Sequence, residues 1–396
     1  MVIIKIAERN IETFFYTEGF RSLVFTIPVW IAYLQERISI PQISLYLAIG
    51  FATQLILELP TGALADLIGR RKTVILGYMI DVVHYGLFAF AITFPQFAIL
   101  SILSGIAEAL KSGSVEALVY DSLKQEGRES EFQAVMAKQG KLFQIGLMTG
   151  TLFGGFMASW WVALPYLASS FAVLCAGICA TRFVEPTIDS EKFGLRNYLR
   201  QIKWGAIEAF KTQKHRDMSL YYIAVGSITW LCATYFNDSM LITLGFGGEE
   251  RGMIAAALRL INVVVIAKLL TQERLFDFRR TIMFFPILMS LALLPGWWLQ
   301  GYWGIPFVGM AMMASTARWI LLGKYTNAVF SSKYRATAIS ALSMAISIIY
   351  ILGVVLAGIV MGKYGDTRLI YSLLGILSIM IVPYLGYRLL YVKKAN

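Results

Sequence analysis

The chain is poor in the residues that water-soluble catalysis ordinarily draws on. Charged residues make up only 15% of its 396 positions, and it has two histidines, His84 and His215, and three cysteines. So little charge beside 58% hydrophobic residues and a mean hydropathy of +0.65 excludes an ordinary soluble domain. Cys175, Cys179 and Cys232 all fall inside apolar runs. An odd number of thiols so placed reads as packing, not as a disulfide framework or a metal site. No cofactor or metal is expected. His-Glu-x-x-His and Gly-x-Ser-x-Gly are absent, which counts against an intramembrane enzyme, and without Gly-x-x-x-x-Gly-Lys-Ser/Thr there is no phosphate cradle for ATP hydrolysis. Lys5, Glu8, Arg9 and Glu12 argue against a cleavable leader at the start of the chain.

What the chain has instead is long continuous apolar runs, each near the roughly 20 helical residues that cross a bilayer. Twelve spanning helices are predicted, over 11–36, 42–65, 73–93, 96–118, 136–158, 161–183, 218–242, 251–272, 280–299, 303–323, 337–361 and 368–391. The fold class is therefore all-α and integral to the membrane. The runs do not alternate, which excludes a strand barrel. The net charge of +11 is no nucleic-acid footprint, because most of the 35 Lys and Arg residues fall in loops on one side of the spans. The opposite side has only Arg37, Arg251, Lys363 and Arg368, so both termini are expected in the cytoplasm, in a multi-pass protein of the inner membrane. Trp160, Trp161, Trp297, Trp298 and Trp303 fall at the outer helix ends, as an interfacial belt does.

A segment of 184–217 separates two six-helix halves, 1–183 and 218–396. Its apolar residues Leu195, Leu199, Ile202, Ala206 and Phe210 follow a helical period, with Lys192, Arg196, Arg200, Lys203, Lys211 and Lys214 between them. That pattern predicts a basic amphipathic helix lying on the inner membrane surface.

The most specific motif is Gly62-Ala63-Leu64-Ala65-Asp66-Leu67-Ile68-Gly69-Arg70-Arg71-Lys72, between the second and third spans. Three bases in a row cannot sit in hydrocarbon, so they mark the aqueous end of a hairpin. The pattern resembles the Gly-x-x-x-Asp-x-x-Gly-Arg-Arg/Lys signature of the major facilitator superfamily, and it falls after the second span as it does there. The resemblance implies two six-helix bundles around a central cavity lined by helices 1, 4, 7 and 10. It also implies a gate in which Asp66 meets the N-terminus of helix 11 and Arg70 is tied to an acid at the inner end of helix 4, Glu116 or Asp121. A weaker second copy runs from Glu273 to Arg280, retaining Asp277, Arg279 and Arg280 without the glycines.

Charge inside the spans identifies the candidate site. A buried charge costs at least about 2.5 kcal/mol on insertion scales, so each needs a partner or water. Glu18 with Arg21, Asp81 with His84, and Glu108 with Lys111 are acid–base pairs three residues apart, on one helix face each. By the resemblance, Glu18, Arg21, Glu108 and Lys111 face the pathway on helices 1 and 4, while Asp81 and His84 are structural. An acid poised between low-dielectric walls and a base can load and release a proton. The competing reading of the same four residues is a self-satisfied network that fixes helices 1 and 4. Arg318 on helix 10 is a candidate anion contact or inner-gate base, with Tyr221, Tyr222, Trp230, Tyr235 and Trp319 as candidate aromatic lining. Arg259 and Lys268 are expected to pair across the halves.

Helix 5 carries Gly146, Gly150, Gly154 and Gly155, small residues spaced for close helix contact. The run resembles the glycine series of drug–proton antiporters, with Thr151 where those have proline. The expectation is a secondary transporter moving a small organic solute by alternating access, coupled to protons and exporting, functional as a monomer. The alternatives are a proton-coupled uptake symporter, a membrane sensor without transport, or the intramembrane enzyme already disfavoured.

Overall fold

The structure is a computed structural model that describes residues 6–187, 195–270, 277–331 and 334–391. Among these residues all regular structure is helical, without strands. The helices are α1 (Ile6–Arg21), α2 (Trp30–Gln35), α3 (Ile40–Ile68), α4 (Arg70–Phe88), α5 (Phe94–Lys111), α6 (Ser114–Gln125), α7 (Phe132–Trp160), α8 (Leu164–Ala180), α9 (Leu195–Phe210), α10 (Gln213–Leu231), α11 (Asn237–Thr243), α12 (Gly248–Leu270), α13 (Phe278–Leu293), α14 (Ile305–Ala317), α15 (Gly323–Val329), α16 (Arg335–Tyr364) and α17 (Thr367–Tyr391). Seven helical stretches among the described residues are long and apolar enough on their own to cross a membrane. α1 falls short because it is only 16 residues long and carries Glu18 and Arg21.

The chain divides into two compact units, residues 1–38 with 49–197, and residues 39–48 with 198–396. In the first, α4 packs between α5 and α8, and α1 lies against α6, α7 and α8. Phe14, Val74, Tyr78, Leu118, Val119, Val173 and Phe183 form its apolar core. In the second, α10 packs against α16 and α17, and α13 against α14 and α17.

Four spans expected as continuous helices are interrupted. The stretch 11–36 breaks after Arg21, and Ser22–Val29 is non-helical before α2 begins. Ser22-Leu23-Val24-Phe25-Thr26-Ile27-Pro28-Val29 is apolar enough to pass for helix, but Pro28 has no N–H and restrains Ile27. The freed Phe25 N–H donates to Ser169 Oγ at 3.1 Å. α7 makes the room: a Cβ on Gly146 would lie 1.8 Å from Ser22 Oγ, and one on Gly154 would lie 1.8 Å from Phe25 O. A Cβ on Gly150 would lie 2.7 Å from Val24 N, and Gly155 is buried on the same helix. The glycine run thus seats an irregular backbone, where close contact with a helix was expected.

The stretch 96–118 breaks directly after Lys111. Gly113 takes φ +71°, a left-handed turn that favours glycine, and α6 starts afresh at Ser114. In the second unit the irregularity takes another form. π-helical turns at Cys232–Phe236 and Arg318–Leu322 interrupt the stretches 218–242 and 303–323.

The C-terminal half of α9 is held against the start of α16. Trp204 stacks on Tyr334 with ring centroids 6.2 Å apart, and Glu208 accepts from Ser331 N–H at 3.1 Å. A Cβ on Gly205 would lie 2.3 Å from Thr337 O. Lys192 and the side chains of Leu195, Arg196, Leu199 and Ile202 lie outside the described residues. So do Lys5, Glu273, Arg274, Lys333, Lys393 and Lys394.

Candidate functional site

Five charged side chains meet in the first unit where α1 and α5 end. Arg21 lays its Nε and Nη2 along both carboxylate oxygens of Glu18, at 3.0 and 3.1 Å. This side-on fork is the arrangement that guanidinium and carboxylate geometry favours. Gln139 of α7 donates to Glu18 Oε2 at 2.8 Å. From α5, Glu108 stands 3.9 Å from Arg21 Nη1 and accepts from Lys111 Nζ at 2.6 Å. Lys111 also donates to Asp81 of α4, and its ammonium lies 5.5 Å from the centroid of the Tyr78 ring. A side chain at Gly77 would strike Lys111 Cγ, so the glycine makes way for the lysine stem.

Asp81 therefore belongs to the ion cluster and does not pair with His84, contrary to the three-residue spacing. His84 Nδ1 instead bonds Leu100 O at 2.8 Å. The reason is direction: Lys111 reaches α4 across the α4–α5 contact, and its Nζ offers Asp81 a full charge. Asp81, Tyr78 and Gln139 escape a reading based on local spacing, because their partners are 30 or more residues away.

Glu18 and Lys111 are nearly inaccessible, whereas the Glu108 side chain keeps 42% of its exposure. The cluster borders a polar cavity of about 180 Å³ that Gln54, Tyr78 and Glu116 also line. Glu116 Oε2 and the Tyr78 hydroxyl have no hydrogen-bond partner among the described residues. Three carboxylates (Glu18, Asp81, Glu108) face two bases, so the set carries one negative charge in excess.

The motif hairpin is tied within the same unit. Arg70 Nη1 bonds Asp121 of α6, which selects Asp121 from the two acids expected. Arg71 donates to Thr181 O at 2.6 Å. Glu185 accepts from the backbone N–H groups of Arg70 and Arg71 at 2.8 and 3.0 Å, beside Gly69 at φ +94°. A carboxylate on the exposed N–H groups of a helix start is a favourable placement. Sequence reasoning missed Glu185, although Val184-Glu185-Pro186 after a span was a visible signal. Gly62 lies within α3. The Asp66 backbone also lies within α3; its side chain is outside the described residues.

In the second unit, Arg318 opens its π-turn and is only 1% exposed. Its guanidinium carbon lies 4.2 Å from the centroid of Trp319, 5.7 Å from Tyr222 and 5.9 Å from Trp230. Tyr221 is spent elsewhere, donating to Ile282 O at 2.6 Å. Arg259 has Asp238 of α11, in its own unit, as an electrostatic partner. The described part of the weak second copy of the motif is a helix cap, with Asp277 accepting from Arg280 N–H at 2.7 Å.

Comparison with known proteins places these features. Residues 13–315 match the sequence profile of the Major Facilitator Superfamily. The chain is 23% identical over 388 residues to an uncharacterized MFS-type transporter, YxaM, of Bacillus subtilis (strain 168), covering 93% of this chain and 95% of that one. It is 25% identical over 226 residues to Multidrug resistance protein 2 of the same organism, covering 56% of this chain and 54% of that protein. Among solved structures, the nucleoside transporter NupG superposes with a TM-score of 0.75 at 12% identity, covering 98% of this chain and 100% of that one. A bacterial homologue of the human lysosomal transporter Spinster, inward-facing and unoccupied, gives 0.70 at 15% identity, covering 96% and 93%. With its motif, its all-helical architecture and a profile match over most of its length, this chain belongs to the Major Facilitator Superfamily of multi-pass membrane transporters and is not an enzyme.

Proposed function

We propose that the chain is a proton-coupled secondary transporter that exports a small organic solute across the cytoplasmic membrane by alternating access, as a monomer with both termini in the cytoplasm. The observation that carries this reading is Lys111 shared between Asp81 and Glu108, in a cluster with one more acid than base. Such a set is one positive charge short of balance, and a proton supplies it. Glu108 is the most exposed of the three acids, so the proton arrives there. A neutral Glu108 no longer holds Lys111 and Arg21 from α5, which leaves each base to its other acid, Asp81 or Glu18. The same change loosens α5 at its junction with α6, where Gly113 already breaks the helix. The ties of Arg70 to Asp121 and of Glu185 to the α4 N-terminus then decide when the motif end of the unit opens. Asp66 completes the gate, by the family resemblance, and halves of 1–183 and 218–396 rock about the linker 184–217.

Export is supported by the resemblance of the α7 glycine run to that of drug–proton antiporters, and by the similarity to a protein named for multidrug resistance. One observation favours import instead. Thr151 stands where the exporters have proline, and α7 runs unbroken from Phe132 to Trp160. Inside-out vesicles with an imposed pH gradient test both. The expected result is solute uptake driven by an acidic lumen, abolished in Glu108→Gln while folded yield is kept. Glu108→Gln vesicles that still couple solute to the gradient would end the proposal, and flux of the opposite sense would select import.

A further inference from the structure

Arg21 in the first unit shows what a half-buried guanidinium in this protein does when it has a partner. Arg21 offers its Nε and Nη2 edge and Glu18 occupies it with both oxygens, at 3.0 and 3.1 Å. Arg318 is buried more deeply than Arg21, yet those same two atoms, Nε and Nη2, are without a hydrogen-bond partner among the described residues. Among the described residues no carboxylate forms an ion pair with it. Aromatic rings cover the charge instead: Trp319 lies closest, and Trp230 meets Trp319 edge-on with centroids 6.3 Å apart. Ring faces attract a cation but accept no N–H···O bonds, so the fork remains chemically unsatisfied.

Two further features indicate that the site is built. Gly226 of α10 leaves space for the guanidinium, since a Cβ there would lie 2.8 Å from Arg318 Nη1. The π-turn begins at Arg318 itself, and such turns recur at functional sites because the widened helix re-aims a side chain. An uncompensated buried charge is costly to keep, and a ligand that brings its own charge removes that cost.

From this we infer that Arg318, Tyr222, Trp230 and Trp319 form an anion-recognition subsite that takes the carboxylate of a flat aromatic solute. The Nε and Nη2 edge receives the two carboxylate oxygens side-on, as it receives Glu18 in the first unit. Trp319, half-exposed, supplies a face for the ring that carries the carboxylate. A cationic or neutral solute of the same shape leaves the fork unsatisfied and is rejected. The inference gives a substrate class to the proposed transporter, and it rests on that reading only for the direction and driving force of movement.

The test is binding, measured apart from flux. The full chain in detergent is titrated with 2-naphthoate, its neutral counterpart 2-naphthamide and a naphthyl quaternary ammonium, following tryptophan quenching and thermal shift. The expected result is at least tenfold tighter binding of 2-naphthoate than of the other two. Arg318→Gln should erase that preference and leave the weak 2-naphthamide signal in place, and Arg318→Lys should retain part of it. Should Arg318→Gln fail to fold, Trp319→Ala reads the same site through a weakened affinity for 2-naphthoate. Repeating the titration in phosphatidylcholine vesicles, with and without anionic lipid, separates a free carboxylate from a lipid headgroup. Binding lost when anionic lipid is present assigns the fork to lipid and overturns the solute reading. Equal binding of the charged and neutral probes, or of neither, overturns it as well, as does an unchanged preference in Arg318→Gln. Failure of pH-driven flux with the binding preference intact would instead sink the coupling reading and leave the subsite standing.

Discussion

The two units treat buried charge in opposite ways. In the first, Lys111 is 4% exposed and satisfied by two carboxylates from two helices. In the second, Arg318 is 1% exposed, with aromatic rings about it and two nitrogens unsatisfied. The first arrangement can hold its geometry with no ligand present, and a change in protonation alters it. The second is stable only in so far as the surrounding rings and packing tolerate a lone cation, so an arriving anion alters it. On the proposed function, the first responds to the driving ion and the second to the cargo, in different units.

Removing the charge should separate the two sites most clearly. Lys111→Met leaves Asp81 buried without its cation, and breaking such a pair costs about 3–5 kcal/mol. Arg318→Met removes a charge that has no counter-ion among the described residues, so stability should hold or rise. Melting curves of the two purified variants check this, and adding Asp81→Asn to Lys111→Met should recover most of the loss. Equal destabilisation by the two lysine and arginine replacements would remove the contrast.

The next effect concerns the break in the first helical stretch. Gly154→Ala places a methyl group where Phe25 O now sits, and overpacking of this kind costs about 1–3 kcal/mol. Because Ser22–Val29 follows Arg21 directly, transport should fall with stability, whereas Gly140→Ala on the same helix meets open space and should leave both unchanged.

The long apolar runs were legible in the sequence because hydrocarbon demands them, and the charged residues of both candidate sites were legible because charge in such a run demands an explanation; the uncharged Tyr78 and Gln139 were not. Nor were the partnerships of the charged residues. Glu18 and Arg21 are three residues apart, so helical spacing finds them, but Lys111 chooses Asp81 through a contact between α4 and α5 that no local period encodes. The break at Gly113 carried a signal in Lys111-Ser112-Gly113-Ser114, a turn-like cluster inside an apolar pattern. The break at Ser22–Val29 carried less, since its residues are as apolar as helix and only Pro28 marks it. That Arg318 has no carboxylate partner among the described residues is a property of its surroundings in three dimensions, and the sequence says only that the base is there.

A smaller effect is expected at the motif hairpin. Asp121→Asn loosens Arg70 while Glu185 still caps α4. One of two ties is weakened, so turnover should change by up to about tenfold, equivalent to about 1.4 kcal/mol on the barrier, with solute affinity unchanged. Affinity and turnover falling together would point to misfolding instead of a gate.

The smallest effect belongs to α9 and tests whether the linker helix acts apart from either site. The Glu208 carboxylate is held below its ordinary range, first by the Ser331 N–H that it accepts. A carboxylate depressed in the folded state adds stability that is fully present above its unfolded value, about pH 4.3, and is lost as pH falls through the folded value. Docking of α9 on the start of α16 should therefore persist at neutral pH and loosen only in acid. Trp204, stacked on Tyr334, reports that docking through its fluorescence. Glu208→Gln should remove the acid-dependent step without shifting the pH dependence of transport, because the proposed proton acceptor is Glu108. A shift in the transport profile of that variant would mean that the linker helix, and not the ion cluster alone, senses pH.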